Sequence, residues 1–380
     1  MKTGWQTKTL GEVCDVMNGG TPKTGVSEYW DGNHRWITPA EMGKRLSPYV
    51  SDTERKITDL GLRDSSARML PQNSVILSSR APIGHLVINT EPMGTNQGCK
   101  GLIPRSQIET KFLYYYLSSI VDMLNSLGTG ATFKELPGGK LKEVVIPVPS
   151  LAEQQRIVGL LDEAFEGLAV AKANAEKNLQ NARALFESHL QSVFTQGGPG
   201  WVETTLDKIS TNLDSRRVPI TKSVRSSGEY PYYGASGIVD YVADYIFEGD
   251  NLLVSEDGAN LLARSTPIAF SVSGRYWINN HAHILHFENM ATQRFAEFYL
   301  ESIKLDDYIT GAAQPKLNQK ALNSISIPIP KAVEVQAKIV ESVESLQEET
   351  SHLAAIYSRK LALLAALKKS LLHQAFSGAL

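Results

Sequence analysis

Ile146-Pro147-Val148-Pro149-Ser150-Leu151-Ala152-Glu153-Gln154-Gln155-Arg156-Ile157-Val158 is the stretch on which the fold turns. Ser150-Leu151-Ala152-Glu153 is a capping box directly after a proline. The serine oxygen can accept from the N–H of Glu153 while the glutamate reaches back, so a helix starts there. From that point Ile157, Leu161, Ala164, Leu168, Ala171, Ala175, Leu179, Ala182, Phe186, Leu190 and Val193 recur every three or four residues, the signature of one helix face. No proline interrupts before Pro199, and Gly197-Gly198 closes the element. A helix of roughly 40–45 residues is about 60–65 Å long at 1.5 Å per residue.

The same stretch returns. Ile327-Pro328-Ile329-Pro330 repeats Ile146-Pro147-Val148-Pro149; after one extra residue, Gln336 and Lys338-Ile339-Val340 repeat Gln154 and Arg156-Ile157-Val158. Further out, Gly4-Trp5 and Thr9-Leu10 match Gly200-Trp201 and Thr205-Leu206. Gly130-Ala131, Leu136 and Leu141 match Gly311-Ala312, Leu317 and Leu322, and Ser188, Leu190 and Phe194 match Ser370, Leu372 and Phe376. A collinear series at such a long offset is no solenoid period. It is a tandem duplication of a globular part followed by a helix. The second helix carries Ile339, Val343, Leu346, Thr350, Leu353, Tyr357, Leu361, Leu364, Leu367 and Leu371, and Lys331 stands where the first has its capping serine.

Single apolar stripes of this length are not stable alone. The economical arrangement is an antiparallel coiled coil, since a globular part separates the two helices; the alternative is two surface helices, each on its own domain. The globular parts alternate short β-branched runs (Ser74-Val75-Ile76-Leu77, Leu86-Val87-Ile88, Leu252-Leu253-Val254, Ile268-Ala269-Phe270) with turn signals, and helical stretches fall near Phe112–Leu124 and Arg294–Leu305. The expected class is α+β, with mixed sheets plus helices. The expected division is a first domain at 1–149, a central long helix at 150–197, a second domain at 198–331 and a C-terminal long helix at 332–380.

Of 380 residues, 42% are apolar and 21% charged, which is a globular composition with enough chain for two cores. Apolar runs are too short to span a bilayer, and MKTGWQTKTL has no signal-peptide pattern. Two isolated cysteines, Cys14 and Cys99, support neither a disulfide framework nor a zinc site. The expectation is a reduced cytoplasmic protein that engages no membrane. Residues 1–150 carry 17 Lys+Arg against 14 Asp+Glu, and residues 198–330 carry 11 against 15. A nucleic-acid binder built this way depends on local clusters rather than bulk charge.

The first half contains Gly20-Thr21-Pro22, Tyr29-Trp30-Asp31-Gly32, Arg35-Trp36-Ile37, Ser78-Ser79-Arg80-Ala81-Pro82-Ile83-Gly84 and Thr95-Asn96-Gln97-Gly98. The second contains Tyr230-Pro231-Tyr232-Tyr233-Gly234-Ala235-Ser236-Gly237-Ile238, Ser255-Glu256-Asp257-Gly258-Ala259-Asn260 and Asn279-Asn280-His281-Ala282-His283. With the boundary at 146–158, this layout resembles the specificity subunit of type I restriction-modification systems over nearly the whole chain. The resemblance implies two target-recognition domains that read the halves of an asymmetric, interrupted double-stranded DNA site. It also implies helices that set the spacing, and docking of two methyltransferase subunits and two restriction-translocase subunits, for adenine methylation and host defence. S-adenosylmethionine, ATP and Mg then belong to the partner subunits, and none to this chain.

Candidate DNA contacts follow from residue chemistry. Arg216, Arg217, Lys222 and Arg225 fall within ten residues, interleaved with Ser215, Pro219, Thr221 and Ser223. Such a loop suits phosphates, with an arginine fork for guanine; the plain reading is a solvated loop. Tyr232-Tyr233 suits stacking or core. Ser79-Arg80 and Glu256-Asp257 follow apolar strands at corresponding places, where binding residues gather; Arg80 reads as a contact and the acidic pair as a turn cap. Asn96-Gln97 and Asn280-His281 are read as corresponding, and either can face bases or tie loops together. Lys23, Arg35, Lys44 and Lys100 are weaker phosphate candidates. No cysteine or carboxylate joins His281, His283 and His286 at ligand spacing in the sequence.

No GxGxxG loop, Walker A lysine or Asn/Asp-Pro-Pro-Tyr segment is present, and Glu54-Arg55-Lys56 lacks the Pro-Asp of a nuclease core. The chain therefore reads as a non-catalytic subunit. The alternatives are a self-contained DNA methyltransferase or nuclease, and a coiled-coil scaffold that binds protein.

Overall fold

The computed structural model describes residues 4–80, 82–130, 134–311 and 314–380; of the residues named above, Ala81, Ala131 and Ala312 lie outside them, as do the first three residues of the chain. Two compact units emerge, Met1–Asn174 with Lys360–Leu380, and Ala175–Arg359. The strands of the first are β1 (Gln6–Thr9), β2 (Cys14–Asn18), β3 (Trp30–Ile37), β4 (Tyr49–Val50), β5 (Arg55–Ile57), β6 (Met69–Leu70), β7 (Val75–Ser79), β8 (Ile83–Asn89), β9 (Met93–Thr95), β10 (Cys99–Pro104) and β11 (Val145–Val148). Those of the second are β12 (Trp201–Thr205), β13 (Thr211–Asn212), β14 (Ser227–Gly234), β15 (Gly237–Val242), β16 (Phe247–Glu248), β17 (Asn251–Ser255), β18 (Ala269–Val272), β19 (Arg275–Ile278), β20 (Ala282–His286) and β21 (Ser326–Pro330).

Both units use one topology, to which the first adds β4 as a parallel edge strand beside β8. The first has sheets ordered β2-β10-β7-β8-β4 and β5-β3-β9-β6, and the second β13-β20-β17-β18 and β15-β14-β19-β16. In each, a parallel pair (β3 with β9, β14 with β19) sits among antiparallel neighbours. Each unit also pairs its first strand antiparallel with the Ile-Pro-Val-Pro or Ile-Pro-Ile-Pro strand, β1 with β11 and β12 with β21. The fold is α+β with mixed sheets, as the sequence indicates.

Four helices matter for the site: α1 (Thr110–Ser119), α2 (Leu151–Gln196), α3 (Met290–Ser302) and α4 (Val333–Ser377). The Ser150 hydroxyl accepts from the Glu153 N–H at 3.3 Å, as the capping motif requires. In the first unit α2 and α4 run antiparallel: Arg156 donates to the Leu380 carbonyl at 2.9 Å, and the Lys368 ammonium lies 5.1 Å from the Phe165 ring centre. In the second, Leu190 and Phe194 of α2 share a core with Val340 and Val343 of α4.

The duplicated residues are those that fasten a domain to the helices. Gln154 is buried, donates to the carbonyls of Gln107 and Pro149, and accepts from the Glu109 N–H. Gln336 is buried, donates to the Pro330 carbonyl and accepts from the Thr292 hydroxyl. Phe376 packs edge-on against Phe112 and Tyr116, as its repeat partner Phe194 packs against Phe295 and Tyr299. The Tyr116 and Tyr299 hydroxyls donate to the carbonyls of Val145 and Ser326. Cys14 and Cys99 are free and buried, and burial pushes both thiols up to about 12. Among the described residues no helix is long and apolar enough to cross a membrane.

Candidate nucleic-acid interface

Both domains build the same backbone frame at the ends of their central strands. In the first, the Ser79 N–H donates to Gly98, the Leu136 N–H to Ser79 and the Asn96 N–H to Ile37, and the Asn96 side-chain oxygen accepts from the Gly98 N–H. In the second, the Glu256 N–H donates to His281, the Leu317 N–H to Glu256 and the Asn279 N–H to Tyr233, and the Asn279 side chain accepts from the His281 N–H. Bond for bond, Ser79 corresponds to Glu256, Arg80 to Asp257, Asn96 to Asn279, Gln97 to Asn280 and Gly98 to His281. This corrects the pairing of Asn96-Gln97 with Asn280-His281 by one residue. The shared feature is an asparagine that bonds the N–H two residues on, and Asn279 makes that bond. A short bridge completes each frame: Arg80 faces Glu135, and Asp257 faces Lys316.

In the first domain this frame gathers Thr21, Arg80, Asn96, Gln97, Lys100 and Glu135. The Thr21 hydroxyl meets the Gln97 side chain and accepts from Asn96 at 3.3 Å. Gly19 and Gly20 permit the approach, since a side-chain carbon at either would lie 2.0 Å from the Asn96 carbonyl oxygen or 2.2 Å from the Ser66 carbonyl carbon. Arg80 lies over Gly98, half-exposed, and its nearest anion is Glu135 at 3.8 Å. Gln97 is exposed. Lys23, Arg35 and Lys44 are not joined to this group by any hydrogen bond or ion pair among the described residues. Lys23 is exposed, while Arg35 and Lys44 pair with Asp52 and Glu54, each at 3.4 Å.

In the second domain the frame gathers Asp214, Arg217, Glu256, Asp257, Asn280, His281, His283 and Lys316. Arg217 donates to the Asp214, Glu256 and Ala282 oxygens. The buried His283 bonds Asp214 at 2.5 Å and the Leu317 carbonyl at 2.7 Å. Lys316 reaches Glu256 at 3.1 Å. Burial alone would raise the Asp214 and Glu256 carboxyls. Hydrogen bonds and positive charge from His283, Arg217 and Lys316 outweigh it and hold both below the ordinary range. Asp214 and Glu256 come within 4.8 Å of His283, so two carboxylates do join that histidine, contrary to the sequence reading. The Arg217 guanidinium and the Lys316 ammonium already place positive charge among them, beside the His283 ring.

The geometry turns five candidates inward. Ser79 is fully buried, with no partner for its hydroxyl among the described residues, and Lys100 is buried beside Glu135. Arg217 is spent on the buried network. Arg225 pairs with Asp240 at 3.1 Å and lies 4.1 Å from the Tyr232 ring centre. Tyr232 is core, its hydroxyl tied to the Ile220 backbone. These are corrections: for Lys100, Arg217, Arg225 and Tyr232, acidic and carbonyl partners distant in sequence hold polar groups that a local reading leaves outside, and Ser79 is turned in by the strand it ends. Tyr233 is half-buried against Phe270 and Tyr276. Arg216, Lys222, Asn280 and His281 stay exposed. Sequence reading missed Asp214, Thr21, Glu135 and Lys316. The last two were findable, because each directly precedes a leucine of the repeat.

A model of the type I restriction modification DNA specificity domain matches residues 2–178 and again residues 199–357, so the chain belongs to that family. It is 39% identical over 187 residues to the specificity subunit of the type I restriction enzyme MjaIX of Methanocaldococcus jannaschii, covering 48% of this chain and 43% of that one. It is 36% identical over 163 residues to the EcoR124I/EcoR124II specificity subunit of Escherichia coli, covering 41% and 40%. These matches span less than half of those relatives. The EcoprrI specificity subunit of Escherichia coli aligns over 92% of this chain and 90% of its own length at 23% identity. In fold, the chain is similar to one from a structure of the type I R-M system (TM-score 0.79, 18% identity, 99% and 98% covered). It is also similar to the HsdS subunit from Thermoanaerobacter tengcongensis (TM-score 0.62, 17% identity, 100% and 98% covered).

Proposed function

We propose that the two domains read the two halves of an interrupted, asymmetric duplex target, and that this chain supplies sequence choice without chemistry of its own. One observation carries the reading: a single backbone frame occurs twice, with different side chains at its outer positions. A protein that read the same signal twice would keep Arg80 and Gly98 in place of Asp257 and His281. In this reading methyltransferase subunits bring S-adenosylmethionine, restriction subunits bring ATP and Mg, and both dock on this chain. The continuous helices α2 and α4 set the separation between half-sites.

The test is an exchange. Replacing residues 200–330 with the equivalent part of a relative, and assembling the chimera with its methyltransferase subunits, changes one half of the methylated motif and leaves the other intact. Changes in both halves, or methylation by this chain alone, defeat the reading. The spacing claim has its own measurement. Inserting four residues near Ala173, with four in the facing part of α4, adds about 6 Å at 1.5 Å per residue. One base pair advances about 3.4 Å, so the preferred spacer lengthens by about one to two base pairs. An unchanged spacer means the helices are not the ruler.

A further inference from the structure

His281 is held more firmly than an exposed side chain needs to be. Its N–H donates to Asn279, its carbonyl accepts from the Glu256 N–H, and its ring Nδ1 meets both oxygens of Asp257 at 2.9 and 3.0 Å. Asp257 is itself fixed, mostly buried and bridged to Lys316. Yet half of the His281 side chain faces solvent, and Nε2 has no hydrogen bond among the described residues. The neighbouring Asn280 is likewise exposed and makes no side-chain hydrogen bond among them. An imidazole oriented on one edge and open on the other is built to meet something.

The grip sets what it can meet. A carboxylate only accepts, so the Nδ1 facing Asp257 carries the proton, and in the neutral ring Nε2 presents a lone pair. In the major groove the only base-edge donors are the amino groups of cytosine N4 and adenine N6. Resting on the reading that the second domain contacts DNA through its strand-end loops, we propose that His281 accepts a hydrogen bond from the exocyclic amino group of a cytosine or adenine in that domain's half-site, with Asp257 as its positioning residue. Guanine and thymine offer acceptors there and meet the Nε2 lone pair unfavourably. The first domain has no equivalent, because Gly98 stands at this position and Arg80 covers it.

The experiment uses the full chain assembled with its methyltransferase subunits, on duplexes carrying the target found by sequencing methylated sites. Deoxynebularine replaces each adenine and deoxyzebularine each cytosine of the second domain's half-site in turn, which deletes one amino group at a time. One such position weakens wild-type binding about three- to tenfold, the worth of one hydrogen bond. His281→Ala weakens binding to natural DNA by a similar factor and is indifferent to that analogue. Asp257→Ala behaves like His281→Ala, whereas Asp257→Asn, which keeps an acceptor for Nδ1, restores sensitivity. Should His281→Ala not assemble, Asp257→Ala supplies the comparison with the imidazole in place.

The proposal is overturned if no amino group in that half-site couples to His281. It is equally overturned if His281→Ala weakens target and random DNA alike, which marks a phosphate contact. Wild-type protein that does not separate target from random DNA removes the underlying reading instead, and that result is distinct because it needs no variant and no analogue.

Discussion

At the ends of β7 and β17 the two domains make the same backbone hydrogen bonds and carry opposite charges. Arg80 faces Glu135 in one; Asp257 faces Lys316 in the other. Behind them, Ser79 is neutral and buried without a partner among the described residues, while its counterpart Glu256 holds Arg217 at 2.6 Å and Lys316 at 3.1 Å. The frame tolerates this inversion because main-chain N–H and C=O groups make it, and these do not depend on side-chain identity. Outer positions are thereby free to change chemistry without loss of fold. The cost appears one layer down, where the second domain buries an ionic network and the first buries a hydroxyl.

That difference can be broken most forcefully at Arg217. Its guanidinium serves two carboxylates and two carbonyls in the interior, and removing one partner of a buried pair leaves the other uncompensated. Arg217→Ala destabilises the second domain by about 3–5 kcal/mol. The first domain has Thr21 at the corresponding place, as far past the end of β1 at Thr9 as Arg217 is past the end of β12 at Thr205, and Thr21→Ala costs within about 1 kcal/mol for its hydrogen bonds with Gln97 and Asn96 near the surface. Chemical denaturation of the two variants compares them, and equal losses end the distinction. Acid sharpens it. The folded-state carboxyls of Asp214 and Glu256 lie below their unfolded values of 3.8 and 4.5. Their stabilisation is therefore complete above about pH 4.5 and lost as pH falls through the lower folded values. Glu301, which burial pushes upward, is relieved by acid and blunts the effect. Hydrogen exchange on lowering pH exposes β17 and β20 before β7 and β10; the reverse order contradicts the assignment.

Arg80 gives the next largest effect. Its fork is half-exposed and weakly paired, free to reach a guanine edge that His281 in the second domain would reject. Arg80→Ala costs about 1–3 kcal/mol at a single base pair of the first half-site and leaves the second half-site unchanged. The double change Arg80→Asp with Glu135→Lys places the second domain's signs on the first. Methylome sequencing then reports a lost guanine preference at one position, and a uniform loss across sequences shows that Arg80 touches only phosphate.

The long helices and the duplication were legible because apolar periodicity, a capping box and a proline break are local signals. Even Gln154 and Gln336 stood out as a repeated pair before their bonds to Pro149 and Pro330 were visible. Strand pairing was not legible. The parallel contacts of β3 with β9 and β14 with β19 join segments whose patterns are too short to show register, and the asparagine match slipped by one residue for the same reason. The basic loop misled in a physical way. Arg217 looks solvent-bound beside Ser215 and Pro219, since nothing local shows that Glu256, 39 residues on, closes over it. His283 looked isolated until Asp214, 69 residues earlier, came to its side.

The smallest expected effect tests whether domain charge or local charge governs phosphate contact. Lys23 and Lys222 are exposed, one on each domain, and neither forms an ion pair among the described residues. Each is expected to neutralise one phosphate, so each alanine variant lowers the slope of log affinity against log salt by about 0.9 and weakens all sequences alike. The surroundings differ: residues 1–150 carry a small positive excess, and residues 198–330 a negative one. At about 0.15 M salt the Debye length is roughly 8 Å, so only the nearest charges count and the two variants lose the same affinity. At about 0.01 M salt screening extends to roughly 30 Å, and the whole domain contributes. There the acidic background opposes DNA at the second domain, and Lys222→Ala loses more than Lys23→Ala. Titrating both variants against random DNA at the two salt concentrations reads the difference. Equal losses at low salt mean that local clusters alone carry the contact, and no change in slope for either removes that lysine from the interface.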